Sequence, residues 1–151
     1  MGLKEQLRAD LTTSIKSRDE LTSATLRMVL TAVTTEEVAG KQARELSDDD
    51  IVKVLTREAK KRREAHEAYR QAGRDELAAR EQDELGVIEQ YLPQQLSDDE
   101  VAELVRAAVE ETGANDPKAM GQVMKVLTPR VAGRADGGKV AAEVRRQLAA
   151  G

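Results

Sequence analysis

Hydrophobic residues recur along this chain with the spacing of amphipathic helices. Near the start one residue in four is apolar, at Leu3, Leu7, Leu11 and Ile15. The pattern is most regular between Val101 and Val109, where apolar residues fill positions i, i+3, i+4, i+7 and i+8. No segment alternates between apolar and polar residues as a half-buried strand does. The pattern therefore predicts an all-α protein.

Capping residues and helix breakers divide this pattern into seven predicted helices. Several starts carry a capping residue followed by acids, which favour the first turn of a helix: Asp19, Ser47 and Ser97. Several ends carry glycine or proline, which are typical of helix C-termini: Gly40, Gly73, Pro93, Gly113 and Pro129. These residues predict that a helix ends at each of these positions.

We expect the helices to form two domains. Apolar positions become sparse between Glu58 and Tyr69, so the second half of the third helix is predicted to be a solvated, mobile arm that pairs with the fourth helix. Pro93 marks the boundary. The prediction is an N-terminal helical domain with a long helical hairpin, residues 1–93, and a small C-terminal three-helix domain, residues 94–151.

The composition narrows the possible chemistry. The 151 residues include no cysteine and one histidine, His66, which excludes disulfides, thiol catalysis and the usual zinc patterns. We predict neither a metal site nor a cofactor. No run approaches the roughly 18 apolar residues that a membrane helix needs, and the N-terminus lacks a signal-peptide core. We expect a soluble cytoplasmic protein without membrane contact.

Charge is unevenly distributed along the chain. From Thr112 to the end, seven Lys and Arg residues face three Asp and Glu residues, a formal charge of +4 in a chain whose total is −4. A basic segment in an otherwise acidic protein indicates a polyanion that is contacted at one place.

Two predicted helix starts in this segment could bind phosphate. Asp116 is an N-cap candidate with Pro117 at the first helical position, and Asp136 precedes Gly137 and Gly138, which leave the first-turn amides uncovered. Exposed amides near cations favour an anion. The candidate RNA-binding residues are Lys118, Gly121, Lys125, Arg130, Arg134, Gly137, Gly138 and Lys139. A glycine-rich helix start is also typical of a plain tight turn, and that alternative stays open.

No constellation indicates a catalytic site. The run from Gly133 to Val140 approaches a phosphate-loop pattern but lacks both the final hydroxyl residue and the preceding strand. The serines lie in predicted helices or caps, and the carboxylates are expected to stay solvated on polar faces. We interpret the basic run Lys60–Arg63 as a solvated helix face, or else as a second nucleic-acid contact, and His66 as a surface or interhelix residue.

Four stretches together resemble the GatB/YqeY family, in the same order and over nearly the whole chain. They are Leu26–Leu30, Arg62–Arg74, Glu89–Ser97 and Met120–Gly137. The last two are the most specific. Gly138 is a departure, because relatives often continue from the glycine directly to lysine.

The resemblance implies an N-terminal helical domain followed by a tail domain similar to the one that ends the B subunit of tRNA-dependent amidotransferases. That domain is associated with holding tRNA. The family also carries a label of carbon–nitrogen ligase activity with glutamine as amide donor. The domains that perform this chemistry have no counterpart in 151 residues, so we do not transfer the activity.

Three hypotheses follow. The first is a tRNA-binding accessory protein that is not catalytic alone. The second is an amidotransferase component that acts with missing subunits. The third is a helical protein-interaction module without RNA binding, which would dock a partner through the helices of residues 47–92.

Overall fold

The structure is a computed structural model that describes residues 2–150. It confirms the all-α prediction: the described residues form seven α-helices and one 3-10 turn, with no strand. The helices are α1 (Leu3–Lys16), α2 (Glu20–Glu37), α3 (Asp48–Gln71), α4 (Asp75–Glu89), α5 (Asp98–Thr112), α6 (Met120–Val131) and α7 (Gly137–Ala150), and the 3-10 turn is Pro117–Ala119. The chain divides into two compact units, one up to Leu92 and one from Pro93.

The N-terminal unit is built from α1 to α4 around an aliphatic core. Its fully buried large side chains include Leu7, Leu26, Leu55 and Ile88. The four-residue spacing in α1 does not keep all its apolar residues inside, since Ile15 is 48% exposed. An α-helix has about 3.6 residues per turn, so each step of four residues rotates the side chain by about 40°. By the third step the side chain faces solvent.

Local capping chemistry sets most helix starts, as expected. Asp19 accepts the N–H of Thr22, and Ser47 forms a capping box with Asp50 at the start of α3. Ser97 repeats the box at the start of α5. Each box satisfies two orphan backbone donors reciprocally.

Two of the glycine-based helix ends are confirmed and one is wrong. Gly73 and Gly113 adopt left-handed φ angles of +72° and +68°, which glycine tolerates best. Gly40 does not, because α2 already ends at Glu37. The carbonyl of Glu37 accepts the N–H of Arg44. The returning loop therefore satisfies this helix end without a glycine cap.

The prediction that Pro129 ends the sixth helix is also wrong. Pro129 lies inside α6, which continues to Val131. A proline inside a helix removes its own N–H donor and crowds the carbonyl four residues earlier, and Pro129 is exposed to solvent. Val131 is buried in the core and accepts N–H groups from Arg134 and Ala135. Tertiary packing therefore keeps the last turn formed.

The C-terminal unit packs α5, α6 and α7 around a core that is entirely aliphatic among its described residues. Val105, Val123, Leu127, Val140 and Val144 are fully buried. Met120 and Met124 pack against this cluster and so serve as core residues.

The inner half of the α3–α4 hairpin is packed, which corrects two sequence-based expectations. Arg62, predicted to lie on a solvated face, is only 5% exposed, and Glu58 and Glu84 are similarly buried. Carboxylates were expected to stay solvated, but these two neutralise Arg62 inside the unit. His66 lies between the helices, where its Nδ1 is 2.8 Å from the carbonyl oxygen of Ala78.

Candidate nucleic-acid interface

The predicted cations of the C-terminal unit sit on three consecutive elements. Lys118 lies on the 3-10 turn, Lys125 and Arg130 on α6, and Lys139 in the first turn of α7. All four are exposed. Arg134 lies in the loop between α6 and α7 and is half-buried.

The cap on the 3-10 turn forms as the sequence indicates. Asp116 accepts the N–H of Lys118 at 2.7 Å, with Pro117 as the first residue of the turn. Pro117 has no N–H to satisfy at that position. The cap therefore belongs to a short 3-10 turn that leads into α6 rather than to α6 itself.

Arg130 is held by an acid of α5. Its Nη1 lies 2.8 Å from Oε2 of Glu111, and both side chains are largely exposed. The hydrogen bond and charge of Glu111 raise the pKa of Arg130, and Arg130 in turn lowers the pKa of Glu111. An exposed pair of this kind is weak, so a phosphate could replace the carboxylate.

Arg134 connects the α6–α7 loop to the segment that precedes α5. Its Nε donates to the carbonyl of Gln94 at 3.2 Å, and its Nη1 donates to the carbonyl of Arg130. The N–H of Leu96 donates to the Arg134 carbonyl at 2.8 Å. Gly133, which precedes Arg134 in the loop, has a φ of +72°. Arg134 therefore performs a structural task inside the unit, which the sequence analysis did not foresee.

The amides at the start of α7 are less open than predicted. Asp136 acts as an N-cap, as expected, but its Oδ1 accepts the N–H of Gly138 at 2.9 Å. The prediction that this amide is uncovered is therefore wrong, because the capping residue itself covers it. Gly137 is exposed, and a Cβ built there would have nothing within 4 Å. Packing does not require glycine at position 137.

Gly121 has no packing role either. A Cβ at Gly121 would meet nothing within 4 Å, so no neighbouring helix approaches it closely. A close approach of RNA at Gly121 stays a prediction.

Four other surface cations of the segment make no side-chain bond. Within residues 2–150, the side chains of Lys118, Lys125, Lys139 and Arg145 form no hydrogen bond or ion pair. Arg145 was missing from the predicted site, although it contributes to the basic charge of the segment. Its neighbour Arg146 is different, since it pairs with Glu143 at 2.6 Å and lowers the pKa of that carboxyl to about 2.

Acidic residues of α5 and α7 accompany two of the predicted phosphate ligands. Lys139 lines a groove of about 390 Å³ that also contains Asp98 and Glu143. Arg134 lines a different groove, with Glu100 and Glu103. The two cations therefore lie in separate grooves that both carry carboxylates. These carboxylates lower the net positive charge around Lys139 and Arg134.

The described residues offer neither a metal site nor a membrane-spanning helix. Between residues 2 and 150, no group of three or more His, Asp or Glu side chains is arranged to hold a metal ion. Over the same residues, no helix is both long and apolar enough to cross a membrane.

Comparisons with known proteins identify relatives. A family model described as "Yqey-like protein" matches residues 4–148. A protein of Schizosaccharomyces pombe, described as uncharacterized, is 33% identical over 97 residues, which is 64% of this chain and 76% of that protein. The "Altered inheritance of mitochondria protein 41, mitochondrial" of Clavispora lusitaniae is 26% identical over 134 residues, covering 87% of this chain and 77% of its own length.

Proposed function

Because the chain belongs to the YqeY-like family, we propose that its C-terminal unit binds tRNA and that the chain acts as an accessory protein in tRNA handling. The observation that carries the proposal is the set of exposed cations without an internal partner, Lys118, Lys125, Lys139 and Arg145. The resemblance of the family to the tail domain of amidotransferase B subunits favours tRNA over other polyanions.

The proposed contacts are made to the ribose-phosphate backbone. The chain has no Phe or Trp, and its two tyrosines, Tyr69 and Tyr91, precede the C-terminal unit. Base stacking on an aromatic side chain is therefore unavailable in this unit. Recognition would depend on the shape of the folded RNA and on its backbone charge.

The other predicted site residues have different roles in this proposal. Arg130 would exchange Glu111 for a phosphate, since the pair is exposed. Arg134 would position the α6–α7 loop rather than bind phosphate directly, because its guanidinium already donates to two carbonyls. Gly137 is the candidate for a backbone amide contact.

Filter binding of the full chain to tRNA at rising salt tests the proposal. Phosphate contacts of the four unpartnered cations and of Arg130 predict that log K falls against log salt with a slope of about −4. Lys125→Glu with Lys139→Glu should weaken binding at least about tenfold, since two attractions become repulsions.

The matched control is Lys16→Glu with Lys53→Glu, which makes the same charge change at two exposed lysines of the N-terminal unit. We expect this control to bind tRNA much as the wild type does. A salt-independent affinity, or an equal loss in both double variants, would contradict the proposal.

The ligase label of the family is a separate hypothesis. We propose no reaction for this chain alone, and we expect the purified chain to show no glutamine-dependent amidation of misacylated tRNA. Product formation by the chain alone would overturn that expectation while leaving the binding proposal intact.

A further inference from the structure

A groove in the N-terminal unit shares no residue with the tRNA-binding surface proposed for the C-terminal unit. It has a volume of about 800 Å³ and is lined by α2 and α3, with Glu81 and Glu84 contributed by α4. Along α2 the lining extends from Arg27 to Glu36, a length of about 14 Å at about 1.5 Å per residue. We propose that this groove binds an acidic amphipathic helix of a partner protein.

The deepest side chain of the groove is a buried arginine. Arg62 donates from Nε to Glu84 at 3.2 Å and from Nη1 to Glu58 at 3.0 Å. Its Nη2 donates to the sulfur of Met28, at 3.6 Å. A thioether is a weak acceptor. This edge of the guanidinium therefore gains from a stronger acceptor on the partner.

The charges of the groove are sorted by depth. The carboxylates of Glu58 and Glu84 are each about 10% exposed and are neutralised from within by Arg62. Arg57 and Lys61 at the rim are 60% and 70% exposed, and each is paired with one glutamate of the groove. Ion pairs of exposed cations are weak, so a carboxylate of an approaching ligand can compete for both cations, which favours an acidic partner.

Arg27 adds an exposed positive charge to the rim of the groove. It is exposed and lines the groove, and within residues 2–150 its guanidinium has no hydrogen bond or ion pair.

Apolar surface within the groove indicates a protein rather than an RNA occupant. Met28 is 41% exposed, one of four large apolar side chains that lie open to solvent among the described residues, and the small side chains of Ala32 and Ala65 lie in the same lining. Methionine is enriched at protein interfaces. Two helical walls with an apolar strip between them suit a third helix.

Photo-crosslinking tests the occupant directly. We would place p-benzoylphenylalanine at position 31 of the full chain, expressed in its own cells, and identify the adducts by mass spectrometry. Position 12 is the matched control: Thr12 and Thr31 are both exposed, and each hydroxyl donates to the carbonyl of an arginine four residues earlier. We expect adducts from position 31 that are absent from position 12 and that map to an acidic amphipathic segment.

A synthetic peptide of the captured segment then measures affinity for the full chain. Arg27→Glu should weaken binding about tenfold, and Arg8→Glu, the equivalent exposed reversal on α1, should change it less than about twofold. Met28→Ala provides a second variant that removes apolar contact without changing charge, and circular dichroism confirms folding of all three.

Four results would overturn the proposal. They are adducts to RNA only, adducts only to a second copy of this chain, the same adducts from both positions or none at all, and peptide binding that both Arg27→Glu and Met28→Ala leave unchanged. None of these results bears on tRNA binding by the C-terminal unit.

Discussion

In the N-terminal unit six polar or charged residues are buried, whereas every buried residue that the structure describes in the C-terminal unit is apolar. The buried polar residues are Ser14, Ser23, Thr25, Glu58, Arg62 and Glu84. The C-terminal unit keeps its charges on the surface, where they can meet a ligand without supporting the core. Charged residues therefore lie in the interior of the N-terminal unit but only on the surface of the C-terminal unit, among the residues that the structure describes.

This difference teaches where a charge can be changed without loss of folding. A buried ion pair is costly to break because one partner is left desolvated and uncompensated. An exposed lysine contributes little to stability, since water already solvates it. The two units should therefore respond to mutation in opposite ways.

The largest expected effect is the loss of Arg62. Arg62→Ala leaves Glu58 and Glu84 without their shared buried partner and should reduce the free energy of unfolding by about 3–5 kcal/mol. Urea denaturation measures this change. Arg70→Ala on the same helix removes an exposed pair with Glu67, and it should leave the midpoint nearly unchanged. Equal destabilisation by both variants would contradict the expectation that a buried charge contributes more to stability than an exposed one.

The second-largest effect is expected at Arg134, a cation of the C-terminal segment that holds the α6–α7 loop in place. Arg134→Ala removes the hydrogen bonds to Gln94 and Arg130 and should destabilise the unit by about 1–2 kcal/mol. Thermal unfolding of Arg134→Ala beside Lys125→Ala, which lacks such bonds, checks this expectation. If only tRNA affinity falls and the unfolding temperature stays constant, Arg134 is a ligand contact rather than a positioning residue.

The smallest effect is expected at Glu81. Its pKa is raised in the folded state, chiefly by burial and further by Glu84, so the charged carboxylate slightly destabilises the fold at neutral pH and this penalty disappears as the pH falls. Glu81→Gln should therefore raise the unfolding temperature slightly at pH 7 and have no advantage at acidic pH. A variant that is less stable than the wild type at pH 7 would show that the charge is favourable.

Local features of the fold could be predicted from the sequence, and long-range ones could not. The capping boxes of Ser47 and Ser97 involve residues three positions apart, so the sequence displays both partners together. Arg62 and Glu84 are 22 positions apart on different helices. The apolar stripe of α3 does continue through the positions of Glu58 and Arg62, but the charges there and in the neighbouring basic run favoured a solvated face.

The candidate site follows the same rule. The surface lysines were predictable because an excess of basic charge in a short segment must reach solvent. The role of Arg134 was not, since its acceptor Gln94 lies 40 positions away. Asp136 was recognised as a cap, but a cap necessarily occupies one of the amides that were predicted to be open.

The most direct test of tRNA binding by the C-terminal unit is a lysine footprint. Brief acetylation of the full chain with and without tRNA, read by mass spectrometry, reports which amines the RNA covers. We expect protection of Lys118, Lys125 and Lys139 and none of Lys16 or Lys53. Equal reactivity of all five lysines with and without tRNA, or protection confined to the N-terminal pair, would contradict the account.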